Sequence, residues 1–333
     1  MELLLLFALL GEFSPSPHGA ISHSHIAQNT SVQQLRNNAD ALFNNKQYRE
    51  AIAAYDRYLQ AEPEDGGAWT NRGNALFFLE EFESALLSFD RAVKANPEVG
   101  GFWLNRGNAH YELNRYREAI QDYDRAIQLD KTLSGAWTNK GNALSRLSRY
   151  REAIPAYNNA LKIEPNSYLT RAAKALALSH LKQYREALSE TLKALASEPN
   201  HPYLVFRHAY ALDDLGKYQE ALKQYDLALR LVQGQEWESY VWHGKGITFL
   251  KLGNFPQALA NFDRGISLNK YKLYPRLHPG DLVITDSLIG KGQTLVQLKR
   301  YREAITAFDQ ALAIKPNLDQ AIRLREQARR LLR

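Results

Sequence analysis

Residues 101–130 read GFWLNRGNAHYELNRYREAIQDYDRAIQLD, and variants of this unit recur along nearly the whole 333-residue chain. The alanine of its YREAI segment marks the period most clearly. It recurs at intervals of 34 residues, and then after steps of 37 and 46 residues, at Ala51, Ala85, Ala119, Ala153, Ala187, Ala221, Ala258 and Ala304. A fixed period in this range is the signature of a protein built from stacked repeats.

Other positions keep the same spacing from that alanine. A tryptophan lies sixteen residues before it at Trp69, Trp103, Trp137 and Trp242. A small residue lies twelve before it at Ala39, Gly73, Gly107, Gly141, Ala175, Ala209, Gly246 and Gly292. Aromatic residues lie three before it in every repeat and four after it in all repeats but the fifth, where Thr191 stands. A proline lies twelve after it at Pro63, Pro97, Pro165, Pro199 and Pro316.

These positions predict two short amphipathic helices in each repeat, because the apolar residues recur at helical spacing on two segments. Glycine or alanine allows the two helices to approach closely, and the large aromatic residues fill the space beside it. The proline cannot continue a helix, so we expect it to end the second one. One such unit cannot bury its apolar face alone, whereas stacked neighbours can.

The combination of Trp, Gly, Tyr, Ala, an aromatic residue and Pro at these spacings resembles the tetratricopeptide repeat family. The repeats resemble in particular those of bacterial, including cyanobacterial, members. The resemblance covers roughly residues 32–316 and implies an all-α solenoid, in which eight helix pairs form a right-handed superhelix with a concave groove. It also implies a non-catalytic scaffold that binds a protein or peptide ligand in that groove.

The periodic positions divide the chain into three parts. Residues 1–30 form an N-terminal apolar or disordered segment, residues 31–318 form the repeat array, and residues 319–333 form a C-terminal capping helix. The eight repeats are placed at about 32–65, 66–99, 100–133, 134–167, 168–201, 202–238, 239–284 and 285–318. The seventh repeat contains an insertion at 270–284, which is either a binding element or a tolerated surface loop.

The N-terminal segment leaves the location of the protein open. Its apolar run Leu3–Leu10 is too short to span a bilayer as a helix but resembles the core of a secretory signal. If it is a signal core, the protein is periplasmic or secreted, and residues 1–30 could contact a membrane. If it is a disordered extension or a wrongly placed start, the protein is cytoplasmic.

Composition constrains the choice of partners. The net charge of +6 and the isoelectric point of about 9.2 permit acidic partners, including nucleic acid, but are modest for this length. There are no cysteines and therefore no thiolate metal site or cysteine nucleophile. Motifs for a nucleophile, a phosphate loop or a metal-binding helix are absent from the sequence, so we expect no catalysis, no cofactor and no metal.

Two positions of the first helix are rich in asparagine. Two residues before the small residue stand Asn37, Asn71, Asn105 and Asn139, and one residue after it stand Asp40, Asn74, Asn108 and Asn142. The two positions are three apart and therefore share a helix face. We call this set the amide column. A primary amide both donates and accepts hydrogen bonds, so the column could bind a peptide main chain of any sequence.

The amide column resembles the asparagine ladder of the O-linked N-acetylglucosamine transferases, which implies binding of an extended peptide. A purely structural role, in which the amides satisfy neighbouring groups, is the alternative. Phe77 and Tyr111 are candidates for apolar contact with the peptide. In the second half, the comparable positions offer secondary candidates of a more aromatic character, which are Tyr203, Arg207, Tyr210, Tyr240 and His243.

The sequence therefore favours a scaffold that binds an extended peptide or protein segment. Two alternatives stay open. One is an adaptor for RNA or an anionic surface that uses the basic C-terminal helix, although nucleic acid is the less favoured partner. The other is an accessory subunit of an envelope assembly complex, which requires a genuine export signal in residues 1–30.

Overall fold

The computed structural model describes residues 23–234, 237–268 and 282–333. Within these ranges the chain forms seventeen α-helices and no strand, which confirms the predicted all-α solenoid. The predicted signal core Leu3–Leu10 lies outside the described residues, and so does the insertion up to residue 281. In the described part of the chain, no helix has the length and apolar character needed to cross a membrane.

The helices follow one another in pairs. The first members of the pairs are α1 (His23–Asn44), α3 (Gly66–Phe78), α5 (Gly100–Glu112), α7 (Ser134–Arg146), α9 (Tyr168–His180), α11 (Pro202–Asp214), α13 (Glu238–Lys251) and α15 (Leu282–Gln297). The second members are α2 (Tyr48–Ala61), α4 (Phe82–Ala95), α6 (Tyr116–Leu129), α8 (Tyr150–Ile163), α10 (Tyr184–Ser197), α12 (Tyr218–Val232), α14 (Phe255–Leu268) and α16 (Tyr301–Ile314). The last helix is α17 (Asp319–Leu332).

The ends of the helices follow the sequence pattern at most positions. Helices α2 and α4 end two residues before Pro63 and Pro97, as expected of a residue that cannot continue a helix. The start of α1 at His23 differs from the sequence interpretation, which placed residues up to 30 before the repeats. Nothing in the repeat pattern marks this start, because the first periodic position is Leu35, which stands sixteen residues before Ala51 in place of tryptophan.

Close contact between glycine and an aromatic ring joins the two helices of a pair. A Cβ added at Gly107 of α5 would lie 2.7 Å from Cε1 of Tyr123 on α6, so a larger residue would push the helices apart. The aromatic residues four after the repeat alanine are at most 1% exposed: Tyr55, Phe89, Tyr123, Tyr157, Tyr225, Phe262 and Phe308. Burying each large side chain contributes roughly 1.5–3 kcal/mol.

Every turn between the two helices of a pair passes through the left-handed region of backbone space. Positive φ angles occur five residues before the repeat alanine, at Lys46, Glu80, Asn114, Ser148, Lys182, Gly216, Gly253 and Lys299. In the third repeat, the backbone amide of Asn114 donates to the carbonyl of Tyr111, and that of Arg115 donates to the carbonyl of His110. These bonds satisfy the last carbonyls of α5.

The regular spacing of the tryptophans has a specific structural reason. The indole Nε1 of Trp69 donates to the carbonyl of Pro63, and that of Trp103 donates to the carbonyl of Pro97, both at 2.8 Å. In the fifth repeat, Arg171 stands at the tryptophan position. Its guanidinium donates to the carbonyl of Pro165, six residues earlier, at 2.7 Å. The arginine thus reproduces the hydrogen bond of the indole it replaces.

Ion pairs connect the first helix of a repeat to the second helix of the preceding repeat. Arg72 contacts Asp56, Lys140 contacts Asp124 and Arg325 contacts Asp309, each sixteen residues earlier. Arg106 contacts Asp90 in the same way and also Asp122 of its own repeat. Since most of these carboxylates are partly exposed, each pair contributes only about 0–1 kcal/mol, but together they favour one register between repeats.

The described helices divide into two compact units, one ending at Ala177 and the other beginning at Leu178. In the first unit, consecutive first helices also touch, as α3 touches α1 and α5 touches α3. In the second unit, α17 packs against α16, and its Ala321 and Ala328 are fully buried. Helix α17 therefore packs on the last helix pair, and the capping role of residues 319–333 stays a prediction.

Candidate functional site

The amide column is a hydrogen-bonded structure at its centre. The side-chain oxygen of Asn108 accepts from the hydroxyl of Tyr123 at 3.0 Å and from Nδ2 of Asn139 at 2.9 Å. Asn108 and Asn139 are each only 2% exposed. Tyr123 belongs to the same repeat as Asn108, and Asn139 belongs to the next one. Asn108 therefore joins two helices of one repeat to the following repeat.

The first repeat contains the same arrangement with a carboxylate in place of the amide. Oδ1 of Asp40 accepts from the hydroxyl of Tyr55 at 2.5 Å and from Nδ2 of Asn71 at 3.2 Å. Burial, followed by the bond to Asp40, raises the pKa of Tyr55, so its hydroxyl remains a donor at any physiological pH. Farther along, the hydroxyl of Tyr157 donates to Oδ1 of Asn142 at 2.9 Å.

The second repeat breaks this pattern. Phe89 stands where Tyr123 stands in the third repeat, so Asn74 has no hydroxyl to accept from. Among the described residues, Nδ2 of Asn74 is buried without a partner, and no hydrogen bond joins Asn74 to Asn105. The oxygen of Asn139 is likewise buried without a partner. Asn74, Asn105 and Asn139 thus retain hydrogen-bonding capacity.

Open space lies beside this part of the column. A Cβ added at Gly101, near the start of α5, would meet nothing within 4 Å. Glycine is therefore not required at this position by packing, although it weakens a helix by up to about 1 kcal/mol relative to alanine. The absence of a side chain at Gly101 leaves room for another chain to approach α5.

The structure assigns a different role to the two aromatic candidates. Phe77 and Tyr111 are 5% and 7% exposed, because each packs edge-on against an aromatic residue at the start of the next helix. The ring centroids are 5.0 Å apart for Phe77 and Phe82 and 5.3 Å apart for Tyr111 and Tyr116. Their proposed contact with a ligand gains no support. Asn37, at the other end of the column, is exposed and accepts from Gln33.

The secondary candidates in the second unit are mostly packing residues. Tyr203 and Arg207 are 9% and 8% exposed, and Nε of Arg207 is buried without a partner. The Arg207 guanidinium lies 5.3 Å from the ring centre of Tyr210, which is 36% exposed. Tyr240 is half-buried. Arg207 and Tyr210 occupy the two positions of their repeat that hold amides in the first unit, but none of these secondary candidates is an amide.

His243 is a buried structural histidine. Its Nδ1 lies 3.0 Å from the hydroxyl of Ser287, and its ring centre lies 5.8 Å from that of Phe262. Burial lowers the pKa of His243 to about 4, so the ring is neutral at physiological pH. Across the part of the chain that the structure describes, no group of three or more His, Asp or Glu side chains could hold a metal ion.

A cleft of about 410 Å³ opens in the second unit, and the sequence reasoning missed it. We call it the C-terminal cleft. It is lined by Leu250, Lys251, Gly253, Phe255, Gln293, Val296, Gln297, Leu324 and Gln327. Gln293 directly follows Gly292, which is the same position that asparagine occupies in the amide column, and Gln327 lies 34 residues later. Glutamine as well as asparagine at the position one residue after the repeat glycine, counted onward by 34 residues into α17, would have indicated both residues.

Comparison with protein families identifies the repeat. Models described as "Tetratricopeptide repeat" match residues 36–80, 70–133, 134–167 and 285–318. No curated protein matches the chain. The matched residues include the whole amide column from Asn37 to Asn142.

Solved structures share the fold at low sequence identity. A chain of the APC/C hetero-tetramer Cut9–Hcn1 is 20% identical with a TM-score of 0.63, over 88% of this chain and 55% of that chain. A tetratricopeptide repeat protein from Parabacteroides merdae ATCC 43184 is 15% identical with a TM-score of 0.65, over 79% and 98%. The human IFIT1 dimer with m7Gppp-AAAA is 15% identical with a TM-score of 0.59, over 86% and 68%. This chain spans about half the length of the first of these.

Proposed function

Because the chain belongs to the tetratricopeptide repeat family, we propose that it is an interaction scaffold that binds an extended peptide or protein segment along the amide column. Proteins built from this repeat are generally non-catalytic scaffolds. The ligand segment lies against α3, α5 and α7 in the first unit. Its main chain bonds the amides, so the scaffold recognises extended backbone before it recognises side chains.

The observation that carries the proposal is the unused hydrogen-bonding capacity of Asn74. A buried amide nitrogen without a partner costs roughly 1–3 kcal/mol, and a ligand acceptor would remove that cost. A peptide carbonyl would supply the partner when the Asn74 side chain, which is 5% exposed, turns toward the ligand. The neighbouring Asn105 and the open space at Gly101 favour the same stretch of surface.

Asn108 has a different role in this proposal. It already accepts two hydrogen bonds and therefore positions Asn139. Nδ2 of Asn139 is used in that bond, whereas its oxygen is buried without a partner and would accept a peptide N–H only after the side chain becomes accessible. The hydrogen bond from Asn139 to Asn108 thus fixes the orientation of the Asn139 side chain.

The test begins with capture of the partner from the source cell, followed by a scan of overlapping fifteen-residue peptides from the captured protein. We expect one extended peptide to bind, and its affinity, measured by fluorescence anisotropy, to fall at least tenfold in the double variant Asn74→Ala with Asn105→Ala. The matched control is Asn158→Ala, an exposed asparagine on α8. N-methylation of the peptide main chain should weaken binding similarly. Full affinity in both experiments would contradict the proposal.

The basic adaptor is the less supported alternative. Two of the arginines of α17 are neutralised, since Arg325 contacts Asp309 and Arg329 contacts Glu326. An adaptor of this kind would lose affinity for RNA steeply as salt increases, because phosphate contacts release counterions. A captured nucleic acid with that salt dependence would favour it over the peptide scaffold. The envelope-subunit hypothesis depends on an export signal in residues 1–30, of which residues 1–22 lie outside the described part of the chain.

A further inference from the structure

The C-terminal cleft combines three primary amides with an apolar wall. Gln293 and Gln297 come from α15 and Gln327 from α17, and none of the three side chains has a hydrogen-bond partner among the described residues. Leu250, Phe255, Val296 and Leu324 form the apolar part of the lining. Sites that bind small groups or peptide side chains usually combine an apolar wall with a few polar groups in this way.

The chemistry of the lining limits what the cleft can bind. The amides can donate to carbonyl groups and accept from N–H groups, so they match a peptide main chain. The apolar wall matches one large aliphatic or aromatic side chain. Lys251 provides no free charge, because its ammonium group bonds the buried carboxylate of Asp213.

Uncompensated positive charge lies beside the cleft. Arg323, Gln327 and Arg330 lie at i, i+4 and i+7 on α17 and therefore share one face of the helix. Both arginines are exposed, and neither has an ion pair within the described residues. In contrast, Arg325 and Arg329 are paired with Asp309 and Glu326. The arginines without an ion pair, Arg323 and Arg330, thus lie on the same face of α17 as the cleft residue Gln327.

We propose that the C-terminal cleft is a second peptide-binding site, which takes a segment with one large apolar residue flanked by acidic residues. The apolar side chain enters the cleft between Phe255 and Leu324. The main chain bonds the glutamine amides, and the acidic residues pair with Arg323 and Arg330. This site lies in the second unit and does not depend on the function proposed for the amide column.

The test uses a library of random dodecapeptides displayed on phage and selected on the full chain. We expect enriched sequences to share a large apolar residue with two or more Asp or Glu nearby. Their affinity should fall at least tenfold in the double variant Arg323→Glu with Arg330→Glu. Gln293→Ala with Gln327→Ala should weaken binding without changing its salt dependence, because these substitutions remove no charge.

The matched control is Arg264→Glu with Arg302→Glu, which changes net charge by the same amount at exposed residues outside the cleft. Circular dichroism establishes that each variant folds. Equal loss in the control and the cleft variant would overturn the proposal, since it would show attraction by net charge alone. Absence of enrichment, or enrichment of sequences without acidic residues, would also overturn it.

The alternative occupant of the C-terminal cleft is a second copy of this chain, and the same variants distinguish it from a peptide. In that case the protein would self-associate in sedimentation experiments, and Arg323→Glu with Arg330→Glu would abolish the association. That result would contradict the peptide assignment, whereas a monomer that binds the selected peptides would support it.

Discussion

Nδ2 of Asn139 donates to the side-chain oxygen of Asn108 at 2.9 Å, across the boundary between two repeats. The same oxygen accepts from Tyr123, whereas Asn74, one repeat earlier, has Phe89 in place of the tyrosine. Residues that look equivalent in sequence are therefore hydrogen-bonded in the third repeat, at Asn108, and unpartnered in the second, at Nδ2 of Asn74. This difference allows the contribution of the column to stability to be measured separately from the binding that we propose for it.

Substitution of Asn108 should cost far more stability than substitution of Asn74. Asn108→Ala leaves the hydroxyl of Tyr123 and the amide of Asn139 buried without partners, so we expect a loss of about 3 kcal/mol. Asn74→Ala removes a buried donor that has no partner, and we expect a change within about 1 kcal/mol. Urea denaturation measures both. Equal losses would show that Asn74 has a structural partner.

The fifth repeat should tolerate tryptophan at position 171. Arg171→Trp restores the indole donor found at Trp69 and Trp103, so we expect stability equal to or above that of the wild type. Arg171→Ala loses the bond to the carbonyl of Pro165 and should cost about 1 kcal/mol. Thermal denaturation of the two variants compares them directly. A tryptophan variant less stable than the alanine variant would contradict this account of the position.

The left-handed turn positions should be stabilised by glycine. Lys46 has φ of 62°, a conformation that costs a residue with a Cβ roughly 1–2 kcal/mol. Since glycine also increases the entropy of the unfolded chain, we expect Lys46→Gly to gain about 0.5–1 kcal/mol. The control Arg57→Gly, in the interior of α2, should lose about 1 kcal/mol. If both substitutions changed the free energy of unfolding in the same direction, the result would contradict this prediction.

Stability should fall as pH decreases below the pKa of an unfolded histidine. Burial lowers the pKa of His243 from 6.5 to about 4, so between these values the unfolded chain binds a proton that the folded chain excludes. At pH 5.5 this exclusion costs about 1.4 kcal/mol relative to neutral pH. His243→Gln should remove that part of the pH dependence in urea denaturation at pH 7.5 and 5.5. An unchanged pH dependence would show that His243 titrates normally.

The sequence predicts the fold well because the periodic positions are packing positions. Gly107 and Tyr123 touch across the helix pair as their spacing indicates, and Pro63 follows the end of α2. The left-handed turns could not be predicted as clearly, since only Gly216 and Gly253 of the eight turn residues are glycine. The start of α1 at His23 also has no counterpart in the repeat pattern.

The sequence indicates which positions of the repeat carry the candidate residues, but it does not show which of their side chains are hydrogen-bonded or buried. Counting from the repeat alanine places Asn74 and Asn108 at the same position of their repeats. Their hydrogen bonds differ because the residue four after the alanine is Tyr123, with a hydroxyl, in one repeat and Phe89 in the other. Phe77 and Tyr111 are hydrophobic in sequence whether they face a ligand or the core. Only the structure shows that the start of the following helix covers them.

Photo-crosslinking at Gly101 tests the central claim most directly. A photoreactive amino acid fits there, because a Cβ at Gly101 meets nothing within 4 Å. We expect irradiation in the source cell to link this position to one protein segment, identified by mass spectrometry, and to give no such product from the control position Leu87, which is 68% exposed on α4. No protein crosslink at residue 101, or the same products at both positions, would contradict a peptide-binding amide column.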